Sequence, residues 1–219
     1  MKYNYEEFFD KAYFTVKGHN GWYDETAFAL ENLWHKEVAE YMIRMMSLNG
    51  GRVLDVGCAR GNVVYWLNAT GIEAFGVDVG RWAVENSWKP DKVKWANVAD
   101  GLPFEDDFFD CIVSRDALEH IKEEEIDAVV ENIGRVLKEG GRAMISVATN
   151  RGGKEDRKRS NPATVDPSHI LIKSLSWWKE VFEKRRLFRV DTEATFVAMN
   201  SDLGYRYGWD ILILERCGS

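Results

Sequence analysis

Residues 53–61 read Val-Leu-Asp-Val-Gly-Cys-Ala-Arg-Gly. An apolar strand runs into a glycine-rich turn, and residues 62–70 continue as a helix that Gly71 stops. Strand, turn and helix start in that order form a ligand-binding corner, because a backbone without side chains and the open amides of a helix start can approach a bound group closely. Asp55 stands just before the first glycine. A carboxylate there would repel a pyrophosphate, so the corner suits a ligand that carries positive charge.

The chain on either side of this corner alternates strands and helices. Upstream, residues 1–24 are rich in Tyr, Phe and Trp without clean periodicity and read as a cap. A helix is expected from residue 24 or 25 to about 48, with Leu30, Leu33, Trp34, Val38, Tyr41, Met42 and Met45 on one face and Asn49-Gly50-Gly51 ending it. Downstream come a strand at 73–78, a helix at 81–88 ended by Pro90, a strand at 93–96, and a loop at 97–107. The continuous apolar run 109–114 suits a strand covered on both faces. Ile126, Val129, Val130, Ile133 and Leu137 then mark an amphipathic helix stopped by Gly140-Gly141, followed by a strand at 142–149. Residues 150–166 form a long polar, basic loop, and a helix is expected at 174–183. Strand candidates at 186–198 and 208–215, joined by a turn-rich stretch at 200–207, make an antiparallel hairpin. The fold class is therefore α/β, a doubly wound, mostly parallel seven-stranded sheet with a C-terminal antiparallel hairpin.

Composition sets the outer bounds. A chain of 219 residues, 45% hydrophobic, suffices for a single domain, divided into an N-terminal cap (1–48), a cofactor-binding core (52–149) and an acceptor-side region (150–219). The net charge of -7 argues against a nucleic-acid partner. The opening Met-Lys-Tyr-Asn-Tyr-Glu-Glu lacks the profile of a signal peptide, and no apolar run reaches the ~18 residues of a membrane span, so a cytoplasmic protein is expected. Cys58, Cys111 and Cys217 are odd in number and widely spaced, which fits free thiols and no metal site.

Ligands of doubly wound sheets bind beyond the carboxyl ends of the strands, where the Asp55 corner, Asp78, the loop after residue 97 and residues 114–120 all fall. These residues resemble the class I S-adenosylmethionine-dependent methyltransferases over roughly residues 52–147. The family's first motif, D-x-G-x-G-x-G, stands here as Asp55-Val56-Gly57-Cys58-Ala59-Arg60-Gly61, with Ala59 replacing the middle glycine. Its acid at the end of strand two is matched by Asp78, its L-P-F…F-D segment by Leu102-Pro103-Phe104 with Phe109-Asp110, its L-E-H by Leu118-Glu119-His120, and its L-K-x-G-G turn by Leu137-Lys138-Glu139-Gly140-Gly141. The resemblance implies S-adenosylmethionine as cofactor, held by Asp55, Gly57, Cys58, Ala59, Gly61, Asp78, Val79, Asn97, Val98, Ser114 and Arg115. Asp78 would accept from the ribose hydroxyls, and Asn97 from the adenine amine with Asp100 as the fallback. A dinucleotide fingerprint, G-x-G-x-x-G in register with Gly57, fails at Ala59 and Asn62.

The activity implied is methyl transfer to an acceptor, with a small molecule expected. No Asn-Pro-Pro-Tyr-like segment follows the fourth strand, where Ser114-Arg115-Asp116 stands, and no Pro-Cys nucleophile is present. His120 is the candidate substrate-facing base, with packing of the next helix as its competing role. His169, in a D-x-x-H-I segment, is the second candidate, competing with a role in tying the loop to the helix. Tyr13, Phe14, His19, Trp22 and Tyr23 could cover an apolar acceptor or simply pack on the sheet. The basic tract Arg151, Lys154, Arg157, Lys158 and Arg159 leaves open an RNA or protein acceptor, and the aromatic N-terminus a non-catalytic partner subunit. The oligomeric state is not legible.

Overall fold

The structure is a computed structural model that describes residues 4–16, 26–149, 168–207 and 210–218. Its centre is a seven-stranded sheet in the order β3-β2-β1-β4-β5-β7-β6. The strands are β1 (Arg52–Val56), β2 (Glu73–Asp78), β3 (Val93–Trp95), β4 (Phe109–Arg115), β5 (Leu137–Val147), β6 (Phe188–Val190) and β7 (Asp210–Arg216). β1 pairs in parallel with β2 and β4, β2 with β3, and β4 with β5, whereas β7 runs antiparallel to both β5 and β6. The strand order reverses beside β1, so the carboxyl ends of β1 and β4 open the crevice that such sheets offer to ligands.

Alternation along the strands supplies the two buried faces. Leu54, Ile112, Ile145, Leu212 and Leu214 point into one core with Trp178 and Phe182. Val53, Val113, Met144, Ile211 and Ile213 point into the other with Tyr41, Met42, Val64 and Leu67. The first face is closed by helices α6 (Ile126–Val136) and α7 (Leu175–Glu183), the second by α3 (Trp34–Met46), α4 (Asn62–Ala69) and α8 (Thr192–Asn200). A third cluster gathers Phe9, Tyr13, Phe14, Phe28 and Ala83, drawn from the residue that ends α1 (Tyr5–Phe8), α2 (Lys11–Thr15), the segment before α3, and α5 (Arg81–Glu85). The aromatic N-terminus is thus a cap packed on the cleft end of β2.

Several elements depart from the sequence expectation. The helix expected from residue 24 or 25 begins only at Trp34, because Asn32 and His35 hydrogen-bond back to Ala27 and hold residues 27–32 in turns. The helix at 81–88 stops at Glu85. β5 begins at Leu137 instead of Arg142, so Gly140-Gly141 makes no helix stop but lies within the strand, at a register shift between the Phe109 and Cys111 pairings. The hairpin is corrected most: residues 192–200 form α8, capped by Asp191 accepting from Ala194 N–H at 2.9 Å, and residues 202–207 form α9 (Asp202–Tyr207). β6 and β7 are antiparallel neighbours, but two helices and not a turn connect them. The β-branched and aromatic run Thr192 to Val197 suits a strand by local preference; the Asp191 cap and the Ala198 contact with the second core decide for a helix.

Leu54 is fully buried at the centre of the first core. Leu54→Ala should lower the unfolding free energy by about 2–5 kcal/mol in denaturant melts, with cofactor affinity of the remaining folded protein unchanged. A loss under 1 kcal/mol would mean that the sheet does not pack as described.

Candidate cofactor and acceptor site

The cleft opens at the ends of β1, β2 and β4 and holds about 1050 Å³ of empty space, its open mouth included. Asp55, Gly57, Cys58, Ala59, Asp78, Val79, Asn97, Val98, Arg115 and His120 all line it. The turn after β1 is held to the end of β2: Gly57 and Cys58 N–H donate to the Val77 carbonyl at 2.9 and 3.1 Å. Gly57 has φ +79, and a Cβ there would lie 2.4 Å from the Ala117 Cβ, so only glycine fits. Ala59 occupies the left-handed region at φ 50 that the expected glycine would favour.

Asp78 anchors the same turn. Its Oδ2 accepts from Ala59 N–H at 2.7 Å and its Oδ1 from Gly80 N–H at 2.8 Å. Each oxygen keeps a second lone pair, which suits a vicinal diol. Burial pushes its carboxyl up to about 6 against the pull of the Gly80, Ala59 and Val79 amides. Asp55, 5% exposed, is pushed up to about 7 by burial, with Arg115 lowering it and Asp78 raising it. A buried carboxylate so poorly solvated is stabilised by a cation in the cleft.

At the other end, the Asn97 amide folds its own turn: Nδ2 donates to Asp100 at 2.9 Å and Oδ1 accepts from Ala99 N–H at 3.1 Å. Asn97 lines the cleft and Asp100 does not, and the buried Val98 lies beside it. Three expected residues stand back from the cleft. Ser114 is fully buried and donates to the Val56 carbonyl at 3.0 Å, so it braces the end of β1 and does not face a ligand. Gly61 caps α4 at φ 73. His169 lies behind His120, their ring centroids 4.7 Å apart. His120, 8% exposed, also meets Phe9 edge-on at 5.4 Å. Glu119 is fully buried: Oε1 accepts from Ala148 N–H at 2.8 Å, and burial with Asp116 nearby raises its carboxyl to about 8. It ties the segment after β4 to the end of β5.

Of the aromatic residues expected as cover, Tyr13 and Phe14 line the cleft with Tyr5, Phe9 and Phe28. His19, Trp22, Tyr23 and the basic tract 151–159 lie outside the described residues. Sequence reading missed His35 and Asn62, which carry no motif; both are 2% exposed and line the cleft. Among the described residues no group of His, Cys, Asp and Glu could hold a metal, and no helix is long and apolar enough to cross a membrane. Cys58 and Cys111 are buried free thiols and Cys217 is partly exposed.

Residues 25–206 match the family model of a methyltransferase domain. The chain belongs to this methyltransferase family. It is 30% identical to the uncharacterised methyltransferase YcgJ of Bacillus subtilis (strain 168) over 151 residues, which cover 65% of this chain and 59% of that relative. The fold is similar to that of the PH0226 protein of Pyrococcus horikoshii OT3, with a TM-score of 0.68 at 17% identity over 95% of this chain and 99% of that one. It is also similar to phosphoethanolamine N-methyltransferase 2 of Haemonchus contortus in complex with S-adenosyl-L-methionine, with a TM-score of 0.58 at 18% identity over 89% of this chain and 59% of that one.

The methyltransferase takes S-adenosylmethionine as its cofactor, and the cleft fits that molecule. Asp78 would meet a ribose, the segment at Asn97 and Val98 an adenine, and Asp55 with Arg115 the ends of an amino-acid tail, all of them residues that line the cleft. Asp78→Ala should weaken cofactor binding roughly tenfold to a hundredfold in calorimetric titration, the worth of hydrogen bonds to a charged acceptor. Unchanged affinity would remove Asp78 from the site. The pH dependence has a definite sign. Burial pushes the Asp55 and Asp78 carboxyls up to about 7 and about 6, and a ligand that brings positive charge and hydroxyl donors to them would favour their ionised forms. Affinity for S-adenosylhomocysteine should therefore rise from pH 5 to 7 and level off above, and Asp55→Asn should flatten the upper part of that rise. A profile equally flat in both proteins would contradict the assignment.

Proposed function

We propose that this methyltransferase acts on a small, largely apolar acceptor that enters beside His120. The observation that supports this reading is the aromatic side of the cleft, where Tyr5, Phe9, Tyr13 and Phe14 line it and His120 meets Phe9 edge-on. Rings packed edge to face give this side of the cleft a continuous apolar surface, which suits a small apolar molecule better than a polymer strand.

The bound cofactor supplies a methyl group already activated by its sulfonium, for in-line transfer. The protein's own part is alignment, exclusion of water and removal of a proton. The cap provides the first two. Tyr5 fixes its N-terminal end by donating to the Glu125 carboxylate and accepting from Lys122 N–H at 3.1 Å. Phe14 and the Phe9 carbonyl close on Gly80, where a Cβ would lie 2.9 Å from each. His120 would take the acceptor's proton at an imidazole nitrogen, and His169 packs behind it to hold the ring. The cytoplasm suits such an enzyme and its thiols.

Transfer of a tritiated methyl group from the cofactor into fractionated cell extract tests the acceptor class. The label should enter the small-molecule fraction, whereas label confined to RNA or protein would overturn the proposal. His120→Ala should keep cofactor affinity and lower turnover about 10²-fold or more. Normal turnover in that variant, or lost cofactor binding, would assign His120 to packing.

A further inference from the structure

Residues 27–29, of which Phe28 lines the cleft, form a strap whose carbonyls all accept from side chains. His35 Nε2 donates to Ala27 O at 2.8 Å, and Asn62 Nδ2 donates to Phe28 O at 3.1 Å and reaches Ala29 O at 3.4 Å. Trp88 Nε1 adds a bond to Phe28 O at 2.8 Å. These bonds fix the orientation of both cleft-lining groups. With Nε2 donating and burial lowering the imidazole to about 4, His35 is neutral and its Nδ1 carries a lone pair. With Nδ2 between two carbonyls, the Asn62 amide can only be oriented with Oδ1 away from them. Both residues are 2% exposed, and His35 Nδ1 and Asn62 Oδ1 have no hydrogen-bond partner among the described residues. Buried acceptors left unmatched are costly, and two of them lining the same cleft as the buried Asp55 carboxyl call for a ligand group with several N–H donors and positive charge.

We propose that His35 and Asn62 receive the ammonium group of the cofactor's amino-acid tail and thereby couple its binding to the order of the 27–29 strap. The proposal rests on the S-adenosylmethionine assignment. Each side chain faces two ways, donating to the strap and accepting from the ligand. A bound ammonium fixes the neutral His35 tautomer and the Asn62 orientation that hold the strap carbonyls, so tail and strap stabilise one another. Ligands without the ammonium fill the adenosine part of the cleft and leave the strap as it was.

The test uses the full chain with S-adenosylhomocysteine and its α-deaminated analogue, which keeps the carboxylate. At saturation, S-adenosylhomocysteine should slow hydrogen exchange of the amides at 27–32 while the deaminated analogue does not. His35→Gln places an amide nitrogen near the Nε2 position, so it keeps the strap donor and drops the ligand-facing acceptor. It should lose about tenfold or more in affinity for S-adenosylhomocysteine and none for the analogue. Equal protection by both ligands, or an equal loss for both, would overturn the proposal and leave the pair as strap anchors. The wild-type exchange comparison decides even where the variant does not fold. Failure of the wild type to bind S-adenosylhomocysteine at all would overturn the cofactor assignment itself, and the proposal with it.

Discussion

The Asp78 carboxylate accepts from Ala59 on one oxygen and from Gly80 on the other, at 2.7 and 2.8 Å, and the cleft depends on that pair of bonds. They fasten the turn after β1 to the turn after β2, so two neighbouring parallel strands end in one rigid corner. The Val77 carbonyl adds two further bonds to the same turn, from Gly57 and Cys58. Close approach then dictates the residues: glycine at 57 against Ala117, and glycine at 80 against the cap. The carboxylate that shapes the corner is also the one that would meet a ribose, so preorganisation and recognition reside in one side chain.

Burial does the rest of the electrostatic work. Asp55 and Asp78 sit where water solvates them poorly, and each is held well above its usual carboxylate range. A dinucleotide pyrophosphate would add negative charge to this end of the cleft, whereas a sulfonium and an ammonium relieve it. Arg115, which lines the same cleft, lies over the Trp34 ring and pairs with Asp116 at 3.2 Å, would supply the opposite charge for a carboxylate. The site is therefore dipolar, and it matches a zwitterionic amino-acid tail better than a phosphate.

The central part of the fold was legible because its constraints are local. Strands β1, β2 and β4 are doubly covered and read as continuous apolar runs, and the glycines and acids between them mark turns that few residues can make. The C-terminal third was less so. Thr192 to Val197 has the composition of a strand, and only the Asp191 cap and packing beneath β7 make it helical. Ser114 shows the converse, a residue at the expected position whose hydroxyl bonds to β1 and not toward the ligand. His35 and Asn62 were illegible for a third reason. Their role comes from strap carbonyls 8 to 34 residues away in sequence, brought against them by the fold, and no spacing within a motif records it.

The central claim is that the corner formed by Asp55, Gly57 and Asp78 binds a positively charged adenosyl cofactor and not a dinucleotide. Calorimetric titration of the wild-type protein at pH 7.5, above both carboxyl values, with S-adenosylmethionine and NAD in parallel, tests it most directly. The account predicts saturable binding of S-adenosylmethionine near micromolar, about −8 kcal/mol, and none of NAD. Binding of NAD alone, or of neither ligand, would contradict it.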